Sequence, residues 1–387
     1  MSTLTLRTAG ESHGPALTVL IEGFPADVTI DLDWINSELR RRQGGYGRGG
    51  RMRIERDEAV FLAGVRLGRT TGAPIVIQIV NRDSRLDTAP PLENPRPGHA
   101  DLAGAIKWLT TDCRNALERA SARETAGRVA GGALAACLLR EFGIEVIGFV
   151  SAVGAVQGVI AETATTAELT AARDANEMYT PDAAAAEQMI AHVRKAKKAG
   201  DTVGGVVEAR ALGVPIGLGS CASWEQKLDG RLMRAVGSVQ AIKGVEIGLG
   251  FEAARRPGSA VHDAIRFDAA QRGGPSFGFV RDTNRAGGLE GGMTNGMPVV
   301  VRAAMKPIAT LVQGMDSVNL TTLAPQRSDY ERSDVCAVPA ASVVVQHVVG
   351  FEICAALREK FGGDTLGEML AARDHYFAAV QRLGGGG

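Results

Sequence analysis

Short apolar stretches containing β-branched residues recur at Ala16–Glu22, Ala59–Val65, Ile75–Val80, Gly205–Ala211 and Met297–Ala303, and each predicts a strand. Longer stretches repeat their apolar residues every three or four positions. They predict helices over Asp31–Arg42, Asp101–Trp108, Ser121–Phe142, Ala183–Ala199, Leu228–Ala235, Ala340–Phe361 and Thr365–Leu383. The helix from Ser121 opens with Ser121 and Glu124 at the spacing of a capping box. Its small residues Ala126, Gly127, Ala130 and Ala133 leave room for another helix to pack closely. The helix from Ala340 runs to Lys360 and then meets Gly362 and Gly363, a pair that stops helices. Runs of strands and helices without regular alternation favour an α+β fold over a doubly wound sheet.

The most apolar long window, Ala337–Leu357, carries Gln346, His347 and Glu352, so it reads as a buried helix and not as a membrane span. The opening MSTLTLRTAGESHG has neither a secretory apolar core nor an arginine- and serine-rich transit pattern, and the expected location is the cytoplasm. At 387 residues the length alone allows two or three domains, yet no proline- or serine-rich linker divides the chain. Residues 1–383 are therefore expected to form a single domain, with residues 384–387 a flexible glycine tail. The nearest thing to a linker is Asn81–Pro97, a polar, proline-rich loop that leads into His99.

Composition narrows the function classes. Lys plus Arg and Asp plus Glu both number 43, so the chain lacks the broad basic field of a dedicated nucleic-acid binder. Cys113, Cys137, Cys221, Cys336 and Cys354 have no metal-ligand spacing and are expected to be buried, reduced thiols. Within this neutral chain, Arg40–Arg56 (RRRQGGYGRGGRMRIER) places seven arginines and five glycines in 17 residues. Glycine lets backbone approach a ligand, and arginine offers a rigid fork of donors to phosphate or carboxylate. Read alone, the segment fits a polyanion cradle, a solvated basic face or an Arg/Gly nucleic-acid module.

His13 and His99 sit in glycine-bounded loops, where an imidazole can move a proton near neutral pH or serve as a structural hydrogen-bonding group. His192, His262, His347 and His375 carry only the structural reading. No GxGxxG motif lies between a strand and a helix, so a Rossmann domain is not expected.

Six blocks follow in order: Ala9–Gly14 (AGESHG), Arg96–Asp101 (RPGHAD), Arg119–Gly132, Ser238–Phe251, Gly287–Leu311 and Arg332–Ala340. Together with the arginine loop they resemble the chorismate synthase family from about Thr8 to about Asp364. The resemblance implies a single α+β domain with a repeated core, its helices sandwiched between β-sheets, and a homotetramer. It implies a carbon–oxygen lyase that uses reduced FMN, with NADPH a candidate reductant. The reaction would be 1,4-anti elimination of phosphate from 5-enolpyruvylshikimate-3-phosphate, giving chorismate at the last common step of the shikimate pathway in aromatic amino-acid biosynthesis. No metal is implied.

Carried over residue by residue, the resemblance assigns catalysis to His13, His99, Asp334 and Ser12. His13 would serve the departing phosphate, and Ser12 would tie it into a hydrogen-bond network. His99 would sit beside the flavin, and Asp334 would assist proton removal at flavin N5. FMN would be held by Arg119, Ala120 and Ser121, by Gln240 and Ala241, and by Gly291. Lys306, Pro307, Ile308, Ala309, Thr310 and Arg332 would complete that site. Arg42 and Arg48 would meet a nicotinamide phosphate or a substrate anion. Arg51, Arg123 and Arg128 are further substrate candidates, at least one of them open to an internal ion pair with Glu124 or Glu55. A substrate with two carboxylates and a phosphate explains why a neutral chain gathers its arginines.

The chain departs from the family pattern in a shorter loop before His99, in Gln43-Gly44, and in a longer insertion at Phe267–Val280. Two other readings stay open on the residues alone. One is a nucleic-acid module built on the arginine loop, and the other a flavin oxidoreductase with net electron transfer.

Overall fold

A computed structural model of the chain describes residues 3–49, 55–328, 330–331 and 333–383. One antiparallel sheet contains β1 (Thr5–Ala9), β2 (Ala16–Glu22), β3 (Val60–Ala63) and β4 (Ile75–Val80) in the order β1-β2-β4-β3. A second contains β5 (Glu145–Val153), β6 (Val156–Gln157), β7 (Gly205–Leu212), β8 (Ile242–Ile247) and β9 (Val299–Met305) in the order β8-β9-β7-β5-β6. Register is set by pairs such as Ala16 with Val80 and Val299 with Ala211. It turns Leu17, Val19 and Ile21 of β2 and Ile75, Ile77 and Ile79 of β4 into the core.

The helices are α1 (Leu32–Gln43), α2 (Asp101–Lys107), α3 (Arg114–Ala120), α4 (Thr125–Glu141), α5 (Thr166–Asp174), α6 (Ala183–Lys198), α7 (Leu228–Gly237), α8 (Val338–Phe361) and α9 (Leu366–Arg382). Helix α4 packs on the first sheet and α8 on the second, and the two pack on each other between them. A helix covered on all sides must be apolar all round, which is why α8 reads like a membrane span although 89% of its most apolar window is buried. The close approach of α4 and α8 depends on Gly132, where a Cβ would lie 2.3 Å from the His347 carbonyl oxygen. Gly127, expected to face a helix, faces the first sheet, where its Cβ would meet Val19 at 3.0 Å.

The repeated core is visible in the connectivity. The first half runs β1, β2, α1, β3, β4 and then α4 after a long crossover. The second runs β5, β7, α7, β8, β9 and then α8 after another. In both halves the sheet order is first, second, fourth, third strand, all antiparallel. The sequences of the halves carry no period that announces this.

Several expectations need correction. The Ser121–Glu124 capping box does not form. Ser121 accepts from Arg123 N–H at the head of a 3-10 turn (Ala122–Glu124), and Glu124 turns instead to Thr8, Arg128 and Gln240. Cys221 is exposed, while the other four cysteines are buried. The Phe267–Val280 segment belongs to a hairpin pairing Ile265–Phe267 with Phe279–Arg281. The glycine tail, residues 384–387, lies outside the described residues.

Candidate active site

The two equivalent crossovers, residues 81–124 and 306–337, are tied together. Leu320 N–H donates to the Glu93 carbonyl at 2.9 Å, and the Ser317 hydroxyl to the Pro95 carbonyl at 2.6 Å. Each crossover delivers the chain to the N-terminus of a central helix. Where they meet lies a cavity of about 490 Å³, within the range of small-molecule sites. Arg42, Arg48, Arg96, Arg123 and Lys306 line it, with Asp334 the one carboxylate among the described lining residues. Ala337, Ala340 and Ala341, around the N-terminus of α8, form part of the wall, and among the described residues no side chain caps that turn. Five cations and an uncapped helix N-terminus make this a site for an anion. Val239, Met305, Ile308 and Val344 supply an apolar face.

Most of the residues singled out from sequence come together here. His99, Asp334, Ala120, Ser121, Gln240, Ala241, Arg42, Arg48, Arg123 and the run Lys306, Pro307, Ile308, Ala309, Thr310 all line the cavity. Others do not. Arg119 donates to the carbonyls of Thr8 (2.9 Å) and Gly10 (3.1 Å), a structural tie between α3 and the loop after β1. Gly291 forms the turn of a small hairpin (Leu289–Thr294), away from the cavity lining. Arg128 pairs with Glu124 at 3.0 Å and lines a separate, larger groove of about 860 Å³. Arg231 in that groove is likewise paired with Glu352 and Glu359. Arg51 and Arg332 lie outside the described residues.

The arginines are held in place by buried acceptors. Asp57 takes Arg42 on one oxygen at 2.7 Å and Arg123 on the other at 2.6 Å. Burial alone would raise the Asp57 carboxyl, but the charges of Arg42 and Arg123 hold it below the usual range. Arg48 and the Gly49 N–H both engage Asp334. Arg96 donates to both oxygens of Asp101, at 2.8 and 3.0 Å, and to the Thr310 hydroxyl at 3.0 Å. Lys306 donates to the Gly98 carbonyl.

Each of the two histidines meets a carboxylate through Nδ1. His99 Nδ1 lies 2.5 Å from Asp101, and His13 Nδ1 lies 2.9 Å from Glu118. Burial would raise both carboxyls, yet hydrogen bonds from His99 and Arg96 depress Asp101, and those from His13 depress Glu118. Ionised carboxylates only accept, so Nδ1 carries the proton in both rings. His13 is not in the cavity lining; it sits one step behind it. The Ser121 hydroxyl, which lines the cavity, donates to the Ser12 hydroxyl at 3.1 Å. Asn81 accepts from Arg123 Nε at 2.8 Å and donates to the Gly14 carbonyl at 2.7 Å. The Ser12 hydroxyl thus meets Ser121 of the cavity wall, and Glu118 grips His13 through its carboxylate.

A family model for chorismate synthase matches residues 4–357. The chain belongs to the chorismate synthase family. It is 53% identical to the chorismate synthase of Desulforamulus reducens over 392 residues, spanning 98% of this chain and all of that one. It is 54% identical to the chorismate synthase of Geobacter sulfurreducens, spanning 97% of this chain and 98% of that one. A crystal structure of chorismate synthase superimposes with a TM-score of 0.81 at 40% identity, covering 98% of this chain and 99% of the solved one.

Glu118, Asp101, Arg96, Asp57 and Asn81 were not named as site residues from sequence. Arg96 and Asp101 stood inside the RPGHAD block that marks a chorismate synthase, three residues before and two after His99. Their spacing was the available signal. Glu118 offers none, being 105 residues from the histidine it holds.

Proposed function

We infer that this chain catalyses the family's carbon–oxygen lyase reaction in the cavity between the two crossovers. The substrate would be 5-enolpyruvylshikimate-3-phosphate and the cofactor reduced FMN. The observation that carries the reading is the concentration of five cations at the uncapped N-terminus of α8, beside an apolar wall. That combination suits a flat ring with a phosphate tail next to a small polyanion. Gln240 Oε1 strengthens the fit, because it lines the cavity buried and without a hydrogen-bond partner among the described residues. Such an acceptor suits an N–H on a flavin ring.

Reduced FMN, when bound, supplies electron density to the carbon losing phosphate and accepts the hydrogen that leaves. The chain's residues do the rest. Arg42, Arg48 and Arg123 neutralise carboxylates and phosphate, with Asp57 fixing the angle between Arg42 and Arg123. Lys306 and Thr310 meet the cofactor phosphate, while Ala120, Ser121, Ala241, Pro307, Ile308 and Ala309 shape its bed. His13 holds the proton that the departing phosphate takes, and His99 holds one beside the flavin. Asp334, released from Arg48 when an anion takes that arginine, accepts a proton. Arg51 and Arg332 complete the anion set. We further propose that residues 1–383 act as one domain, cytoplasmic and assembled as a homotetramer. Exposed Val60, Leu62 and Val80 on the first sheet favour self-association.

The deciding experiment is anaerobic turnover of 5-enolpyruvylshikimate-3-phosphate with photoreduced FMN, following chorismate absorbance and free phosphate, with and without NADPH. Equimolar products from catalytic reduced FMN are expected. Stoichiometric consumption of the reduced cofactor would replace the reading with a net oxidoreduction. Turnover with NADPH and oxidised FMN alone would add an intrinsic reductase. Light scattering tests the tetramer.

A further inference from the structure

Glu118 has a fully buried side chain that does not line the cavity. It makes three attachments to the loop carrying His13. Its carbonyl accepts from Ser12 N–H at 3.0 Å, its carboxylate accepts from His13 N–H at 2.9 Å, and the same carboxylate lies 2.9 Å from His13 Nδ1. The backbone attachments could be made by a neutral glutamine. A buried carboxylate costs several kcal/mol of desolvation, on the order that only a charged or strongly hydrogen-bonding partner offsets. The partner at hand is the imidazole.

We propose that Glu118 is the positioning residue for His13, holding the ring in its Nδ1–H form so that Nε2 is the nitrogen that gives and regains the proton. This rests on the reading of His13 as the proton donor to the departing phosphate. In that step the proton leaves Nε2 of the imidazolium for a phosphate oxygen. Nδ1 keeps its own, and the ring ends neutral with Glu118 still ionised.

The surroundings fit the assignment. Nε2 has no hydrogen-bond partner among the described residues; the nearest charge, Asp83, is 3.7 Å away and is paired with Arg85 at 3.2 Å. Behind Glu118, Arg114 stands at 3.7 Å and is shared with Glu331 at 3.3 Å. The Glu118 carboxyl is depressed despite its burial, mainly through its hydrogen bond with His13, so it is an acceptor at working pH. His99 and Asp101 repeat the arrangement on the cavity wall.

The test is Glu118→Gln in the full-length protein, read in two ways. Solid-state 15N spectra of histidine-labelled protein, with His13→Gln to assign the signal, should show the His13 ring shift from one tautomer to a mixture. Turnover should fall about 10–100-fold in kcat with KM unchanged. Glu118→Asp, which keeps the charge, should recover the wild-type 15N pattern and part of the rate, which separates the effect from misfolding. In a His13→Gln background, Glu118→Gln should cost nothing further. An unchanged 15N pattern in Glu118→Gln, or the same rate loss whether or not His13 is present, overturns the proposal. Wild-type turnover by His13→Gln alone would instead bring down the reading of His13.

Discussion

At His99 the carboxylate that receives Nδ1–H is also gripped by an arginine: Arg96 donates to both oxygens of Asp101 at 2.8 and 3.0 Å. At His13 the nearest guanidinium to Glu118, that of Arg114, is 3.7 Å away and shared with Glu331. Remove His99 and Asp101 still has a full counter-charge. Remove the His13 ring and the Glu118 carboxylate keeps one backbone N–H bond and a distant cation. The two sites use the same hydrogen bond, but only in the first is the buried charge balanced without the histidine. A histidine can therefore be a passenger on one ion pair and a structural member of another, although both donate through the same ring nitrogen.

The largest expected effect treats the two sites alike. His13→Ala and His99→Ala should each lower turnover about 10²–10⁴-fold, the usual worth of a positioned acid or base, while FMN still binds. Rates and flavin titrations on both variants check this. Wild-type turnover in either removes that histidine from the chemistry and leaves its carboxylate as a packing device. The next effect separates the sites. Arg96→Ala takes the guanidinium counter-charge from buried Asp101 and should cost about 3–5 kcal/mol of stability. Arg114→Ala, removing a looser and shared cation, should cost on the order of 1 kcal/mol. Urea unfolding of the two variants measures the difference, and equal losses would erase the asymmetry.

How much of this was legible beforehand follows the same division between local and distant. Strands β2 and β4 carry their burial pattern in their own residues, and that pattern alone bounds them at Ala16–Glu22 and Ile75–Val80, where the structure has them. Strand β1 (TLRTA) is too polar and short to stand out, and β5 and β8 were also missed, as were the short helices α3 and α5. The Ser121–Glu124 pair had the right spacing for a capping box, but tertiary partners claimed Glu124. Arg96, His99 and Asp101 fall within six residues, so their cluster is a local fact. His13 and Glu118 meet only because α3 runs back past the loop after β1, and no spacing rule reaches across 105 residues. The repeat was likewise hidden, since equivalent strands share topology and not sequence.

The smallest effect is the most discriminating, and it concerns acid. Asp101 and Glu118 both have carboxyls held below their unfolded values, against burial, by the hydrogen bonds they accept. The stability each contributes is fully present above the unfolded carboxylate range near about pH 4, and is lost as pH falls through the folded value. Wild-type protein should therefore keep its stability from neutral pH down to about pH 4 and lose it steeply below that. In His99→Ala, Arg96 still depresses Asp101, so most of that acid slope should survive. In His13→Ala, Glu118 loses the contacts that depress it most, its titration moves toward the unfolded value, and the slope should flatten. Each unit of depression removed is worth about 1.4 kcal/mol across the transition. Urea midpoints at neutral and acid pH for the two variants decide it: matching slopes would mean that Arg114 balances Glu118 as fully as Arg96 balances Asp101, and that distance along the chain, not charge, is all that distinguishes the two histidines.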